Sequence, residues 1–321
     1  AKVIVSLSAD FLGTWLSPVE FSNQYSQNRK VKGEKVELSR HFQFESMMSL
    51  TGSNADDRYT HKPSETGAVA LALAAKLGVA VAAPSIADAK LTKAIDSVAA
   101  ALTAAKGAAL VVCGSNDVNI QVIVNAINEA IGANGTTINW AITSNYKNGI
   151  DADMAKLVGD MNSGAIGAVL IHGVNPAYSY SDSKKFKDGL LKVVGVSFNA
   201  SMDETTELCK YLLPAHHWLE SWGDAEPKTG YYSLIQPTIN PLFKTRPFQT
   251  NLIKWSAAAG SLVNDYETYF KTYWNAKLGS ADLYEKALQD GVVEPTALPV
   301  GSASFNSAKL TEAVAAIATI K

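Results

Sequence analysis

The residues best placed for chemistry lie where an apolar run meets a glycine-bearing turn. Ile166 to Ile171 runs into His172-Gly173-Val174-Asn175-Pro176-Ala177. At the end of such a strand the backbone N–H groups are unpaired, and the next helix favours an anion. Gly173 would let a phosphate approach the backbone, Asn175 would offer an amide, and Pro176 would hold the turn open. The same residues would also make a tight turn that holds no ligand. Gly114-Ser115-Asn116 occupies the equivalent place after the run Ala108 to Cys113. Glu45 ends a third run, where a carboxylate either accepts ribose hydroxyls or is merely solvated.

Other combinations carry less. His216-His217 with Glu220 and Asp224 invites a metal reading, but adjacent histidines on an extended segment point to opposite faces and no third ligand has a suitable spacing. No metal site and no catalytic residue is expected. Ser/His/Asp and Cys/His arrangements, GxSxG and GK[ST] motifs are absent. Cys113 and Cys209 are too few for a disulfide framework or an iron–sulfur cluster held within these 321 residues. Cys113 reads as a buried, inert thiol.

The elements that would position these turns follow a regular rhythm. Strands are predicted at Val3 to Leu7, Arg40 to Glu45, Ala108 to Cys113, Ile166 to Ile171, Val193 to Phe198 and Tyr211 to Pro214. Helices are predicted from Pro63-Ser64 to Gly78 with Ser64 as cap, from Asp88 to Lys106, and from Asp117 to Gly132. Others are expected from Asp151 to Gly164, Ser181 to Lys192, Asp203 to Leu208, Gln249 to Ala259 and Asp265 to Lys277, with a last one from Ser307. Met47 to Pro63 reads as loop. Trp218 to Phe248 is a loose aromatic stretch, either an interface or a loop packed on its own core. Apolar strands alternating with helices imply parallel sheets covered on both faces. The expected fold is α/β, with two Rossmann-like parallel-sheet domains, 1–145 and 146–321.

Bulk properties exclude several classes. Hydrophobic residues are 47% and charged residues 18%, an ordinary globular balance. A net charge of −2 without basic runs argues against a nucleic-acid partner. The Lys/Asn-rich piece Asn28 to Lys35 reads as a solvated loop. No stretch is apolar for long enough to enter a bilayer as a span. The chain opens Ala1-Lys2 directly into a strand with no signal-peptide pattern, so its ends are expected to be chosen rather than natural.

Several blocks together resemble the molybdopterin oxidoreductase family. Ala168 to Ala177 matches its GxNP turn. Met202-Asp203-Glu204-Thr205-Thr206 and Leu212-Leu213-Pro214-Ala215 match its D-x-x-x-T…L-P run, and Leu219-Glu220-Ser221-Trp222-Gly223 its E-x-x-G. Ser233 to Pro237 stands where that family has GRxQ, Val3 to Gly13 where it has a first strand and GxNP loop, and Glu45-Ser46 where it has DPR. The resemblance extends to about Gly260. It implies that Gly173, Asn175, Pro176, Asp203, Thr205, Glu220, Gly114, Glu45 and Asp10 mark a cofactor site, weak or vestigial. Asp10-Phe11 replaces the Asn-Pro of the first turn, and an acid there repels phosphate.

The wording of "SADFLGTW", "FESMMSLTGSNADDRYTHKPSE" and "LPAHHWLESWGDAEPKTGYYSLIQPTINPLF" is similar to the large iron–sulfur subunits of bacterial alternative complex III. That resemblance implies a cofactor-free, non-catalytic scaffold within a quinol-oxidising respiratory complex on the periplasmic side of the inner membrane. Other subunits would be its partners, and the chain would not insert into the membrane. Iron–sulfur clusters would lie outside this chain. The alternative it leaves open is an active molybdenum oxidoreductase holding molybdopterin guanine dinucleotide.

Overall fold

A computed structural model describes residues 1–31, 33, 37–257 and 265–318. Part of the predicted loop Asn28 to Lys35, and the end of the predicted helix at Ala258-Ala259, lie outside the described residues. The chain runs β1 (Val3–Leu7), α1 (Pro18–Gln27), β2 (Arg40–Glu45), α2 (Leu50–Ser53), β3 (Asp57–Thr60), α3 (Thr66–Lys76), α4 (Ala89–Ala104), β4 (Ala109–Cys113) and α5 (Val118–Ala130). It continues α6 (Asp151–Ser163), β5 (Ala168–Ile171), α7 (Pro176–Ser179), α8 (Ser183–Leu190), β6 (Val194–Ser197) and β7 (Tyr211–Leu212). Then come β8 (Gly223–Lys228), β9 (Tyr231–Ile235), α9 (Phe248–Ala257), α10 (Tyr266–Leu278), α11 (Ala281–Asp290), β10 (Val292–Val293) and α12 (Leu310–Ala318). The architecture is α/β, with parallel sheets flanked by helices, as the alternating pattern predicts.

Two compact units emerge from the internal packing: Ala1–Thr143 with Leu298–Lys321, and Ser144–Ala297. The tail thus groups with the first unit, not with the 146–321 half expected from the sequence. The reason is local. Ala313 and Ile317 of α12 are buried in the core that holds α3 and α5. A side chain at Gly67 would crowd Ile317, so the bare glycine lets α12 pack close to α3.

The first unit carries a four-stranded sheet of order β3-β2-β1-β4, parallel throughout. β1 is buried on both faces, as its β-branched run requires. Asp88 and Asp117 cap α4 and α5 by accepting from backbone N–H groups of their first turns. Behind those caps Leu91, Ile95, Val98 and Leu102, and Ile120, Ile123, Val124 and Ile127, form buried stripes at helical spacing. Ser64 is not the cap predicted for the next helix. A 3-10 turn, Pro63–Glu65, precedes α3, and the Glu65 carboxylate accepts from Lys62 N. Asn128 of α5 bonds both the N–H and the C=O of Val111, occupying backbone groups of β4 at the sheet edge.

The second unit holds a parallel sheet, β5-β6-β7, and an antiparallel sheet, β10-β9-β8. One face of the parallel sheet packs through Val169 and Ile171 against Val158, Met161, Phe186 and Leu190. The antiparallel sheet covers α10 and α11 through Leu234, Phe270, Trp274 and Tyr284. Much of the stretch Trp218 to Phe248 read as loose is therefore a hairpin, turned at Lys228-Thr229-Gly230 with Gly230 at positive φ. β3, inside the expected loop Met47 to Pro63, and α11 are elements beyond those predicted. Among the described residues no helix is long and apolar enough to cross a membrane.

Candidate functional site

In the first unit the chain steps from β1 outward through β2 to β3, then returns to the other side of β1 as β4. That reversal places a switch point beyond the carboxyl ends of β1 and β4, where open α/β sheets bind ligands. Asp10 and Gly114 both lie there. Gly114 donates to Leu7 O, and a Cβ at this position would overlap the backbone carbonyl of Ser8. Its bareness lets two chain segments meet at a point where Ser8 already holds a left-handed backbone, φ 57°.

Asp10 turns back into its own loop. One carboxylate oxygen accepts from Thr51 N at 3.0 Å and Thr51 Oγ1 at 2.8 Å, the other from Thr14 Oγ1 at 3.1 Å. The same carboxylate fills the space above Gly13, where even a Cβ would collide with it. Burial raises its pKa, but the bonds from Thr51 and Thr14 outweigh that and keep it below the usual carboxylate range. An internal anion thus occupies the Thr51 donors of α2 and the Thr14 hydroxyl of its own loop.

Glu45 is buried, which corrects the reading of a solvated carboxylate at the strand end. It accepts from Arg58 Nε, Ser49 Oγ at 2.7 Å, Ser49 N at 3.2 Å and Gln43 Nε2 at 3.1 Å. Burial raises its pKa, while the Arg58 guanidinium and the Ser49 and Gln43 bonds bring it below normal. Glu45 ends a buried polar row along one face of β2. His41 Nε2 lies 3.2 Å from Gln43 Oε1, and His41 Nδ1 lies 3.3 Å from Tyr25 Oη, which donates to Asn54 O. Burial lowers the pKa of His41.

In the second unit the structure brings Gly173, Asn175, Asp203 and Thr205 into one network, with Pro176 beside it. Gly173 N donates to Asn199 Oδ1 at 2.7 Å, and Asn199 Nδ2 donates to Val174 O and Asp203 Oδ2. Asn175 Nδ2 donates to Glu204 Oε2, Thr205 Oγ1 donates to Asn175 Oδ1, and Ala177 N donates to Thr205 Oγ1. Pro176 opens α7 and has no N–H to offer. Asp203 caps its own turn through Thr206 N at 2.7 Å; burial raises its pKa, but the Thr206 and Asn199 bonds leave it lowered. Asn199 and Glu204, central here, are not among the expected site residues, because their role comes from folding and not from spacing.

Glu220 is not part of this network. Its two oxygens accept from Leu242 N and His217 N, and those bonds hold its pKa below normal. His216 Nδ1 sits 2.6 Å from Thr245 Oγ1, and His217 Nδ1 accepts from Leu219 N. Among the described residues no group of three or more His, Cys, Asp or Glu side chains is placed to hold a metal ion. Burial pushes both thiols, Cys113 and Cys209, upward in pKa.

The loops beyond the carboxyl ends of the strands share a chemistry. Ser8 to Ser17, Ser46 to Ser49, Gly114 to Asp117, His172 to Asn175 and Asn199 to Thr205 contain Asp10, Asp117, Asp203 and Glu204 and no Lys or Arg, whereas the loop after β3 carries Lys62. Their exposed side chains are instead apolar in good part. In the first unit Met47 is 80% exposed, and Met48 and Leu50 beside it and Val118 after β4 also face outward. In the second unit Val174, Tyr178 and Met202 do the same.

No protein-family model matches the sequence, and no curated protein matches it. Among solved structures the chain is similar to acetylene hydratase from Pelobacter acetylenicus, with a TM-score of 0.53 at 11% sequence identity. The match covers 81% of this chain and 47% of that one, so the chain spans about half the length of this neighbour. The likeness is one of fold.

Proposed function

We propose that the chain is a cofactor-free, non-catalytic portion of a molybdopterin-oxidoreductase-like subunit. It serves as scaffold in a quinol-oxidising respiratory complex of the alternative complex III type. The reading rests on the Asp10 carboxylate, which takes the Thr51 and Thr14 donors that a pyrophosphate would need. The residues present do not fit the phosphate-bearing arms of a guanine dinucleotide pterin. A second anion would meet Asp10 in the first unit, and Asp203 and Glu204 in the second, where the one cation acting on Glu204 is Lys187 of α8. Glu45, spent on Arg58, is likewise no longer a ribose acceptor.

Two further observations support the reading. The fold is similar to that of acetylene hydratase, which has the molybdopterin-enzyme fold. The apolar crests at Met47, Met48, Leu50 and Val118, and at Val174, Tyr178 and Met202, suit docked protein better than a polyanionic ligand. In this assignment the partners are neighbouring subunits of the complex and an iron–sulfur domain outside this chain. The place is the periplasmic side of the inner membrane.

Metal analysis of the native full-length protein tests the proposal. Iron without molybdenum or tungsten is expected; stoichiometric molybdenum or tungsten would overturn it. Thermal melting of the chain with GDP or GMP should show no stabilisation, because a ligand that binds the native state must raise its melting temperature.

A further inference from the structure

The segment from Ile235 to Lys244 is exposed at every residue, yet it is held in place by defined bonds. Thr238 N and Ile239 N both donate to Leu219 O, at 2.7 and 3.1 Å. Leu242 N donates to Glu220 Oε1, and Thr245 Oγ1 meets His216 Nδ1. Pro237, Pro241 and Pro247 stiffen the path. The stretches 216–220 and 238–245 therefore form one fastened surface. It carries Trp218 at 64% exposure, Leu242 at 73% and Phe243 at 77%, with Ile235 and Ile239 beside them. An unfastened loop would fold such side chains inward; here the backbone bonds keep them out.

The charge along this segment has one sign. From Pro227 to Ala257 the sequence contains Lys228, Lys244, Arg246 and Lys254 and no Asp or Glu, although the whole chain is net negative. Lys244 and Arg246 directly follow the Leu242-Phe243 tip and are exposed. Glu220, within the fastened stretch, is buried and spent on backbone N–H groups, and Asp282 and Glu285 of α11, with Lys286, line a pocket with Gln236.

Trp, Phe, Leu and Ile flanked by Lys and Arg is the set that partitions into the interface of an anionic bilayer, rings at headgroup level and cations on the lipid phosphates. We propose that the Trp218 and Ile235–Arg246 surface seats on the headgroup region of an anionic phospholipid membrane as a shallow contact, without a spanning segment. The inference rests on this loop alone and holds whether or not the scaffold reading does.

Cosedimentation of the chain with vesicles of equal parts phosphatidylcholine and phosphatidylglycerol tests it, beside vesicles of phosphatidylcholine alone. Binding is expected to the anionic vesicles and to weaken with salt. The L242S/F243S variant should bind at least about tenfold more weakly, since two inserted apolar side chains are lost. Each of K244Q and R246Q should cost about fivefold. Brominated lipid should quench the wild-type fluorescence, and W218F should remove most of that quenching. Far-UV circular dichroism checks that these exposed substitutions leave the fold intact. Absence of binding to the anionic vesicles would overturn the proposal and leave an acidic protein surface as the occupant. Binding unaffected by L242S/F243S would overturn it too, as mere electrostatic adsorption.

Discussion

Replacing Glu45 by alanine separates a structural carboxylate from a ligand-binding one. The side chain is 4% exposed and pairs with Arg58, itself 26% exposed. Removal leaves the Arg58 guanidinium, Gln43 Nε2 and the Ser49 N–H and hydroxyl without their acceptor. Breaking a buried ion pair from one side costs about 3–5 kcal/mol. Water reaches a quarter of Arg58 and recovers part of that, which leaves about 3 kcal/mol. At about 2–4 °C per kcal/mol for a unit of this size, the melting temperature should fall by about 6–12 °C. Thermal unfolding at neutral pH, followed by circular dichroism, reads this directly. The E45A/R58A double variant should fall by less than the sum of the two single changes, because the stranded charge is gone. A drop for E45A no larger than an exposed substitution gives, about 0.5 kcal/mol, would refute the reasoning. Glu45 would then be a free carboxylate available to a ligand.

Other outcomes follow from the same bonds. Thr205→Val leaves Ala177 N–H and Asn175 Oδ1 unpaired beside a fully buried side chain and should cost about 2–3 kcal/mol in urea unfolding, whereas Thr205→Ser should stay within about 0.5 kcal/mol. Gly114→Ala must part β1 from β4 and should cost about 1–3 kcal/mol, seen as a lower urea midpoint. His41 and His61 have pKa values lowered by burial, so their contribution is complete above the unfolded value of about 6.5 and is lost as pH falls toward the folded pKa. The urea midpoint should therefore be lower at pH 5 than at pH 8; a higher one would contradict the burial argument. A second loss should begin below about pH 4, where Asp10, Glu45, Asp56 and Asp203, all lowered by their hydrogen bonds, take up protons.

What was legible in the sequence was local. Val3–Leu7 and Ala109–Cys113 announce themselves as apolar runs, and Asp88, Asp117 and Asp265 as caps, because a few neighbouring residues decide each case. β3 reads Asp-Arg-Tyr-Thr, a polar strand at the sheet edge, and only its pairing with β2 makes it a strand. α11 has its signals, Ser280 as cap and Gly291 as stop, but they lie in a polar stretch. The types in Arg40–Glu45 indicate a strand, but not that its polar face is buried. His41, Gln43 and Glu45 are buried because Tyr25, Ser49 and Arg58, from three other segments, supply their bonds. The resemblance points to the loops at Asp10, Gly173 and Asn175. That their polar groups are already paired depends on Thr51, Asn199 and Glu204, which only folding brings to Asp10, Gly173 and Asn175.

The return of α12 to the first core also sets an order of events during synthesis. Ala313 and Ile317 complete a pocket lined by α3 and α5, yet they leave the ribosome after the entire second unit. At roughly 5–20 residues per second the nascent first unit waits many seconds with that seam open. Ser144–Ala297, contiguous in sequence, can close during the delay. A released chain ending at residue 297 should therefore be protease-resistant in its later half and still cleavable within α3 and α5.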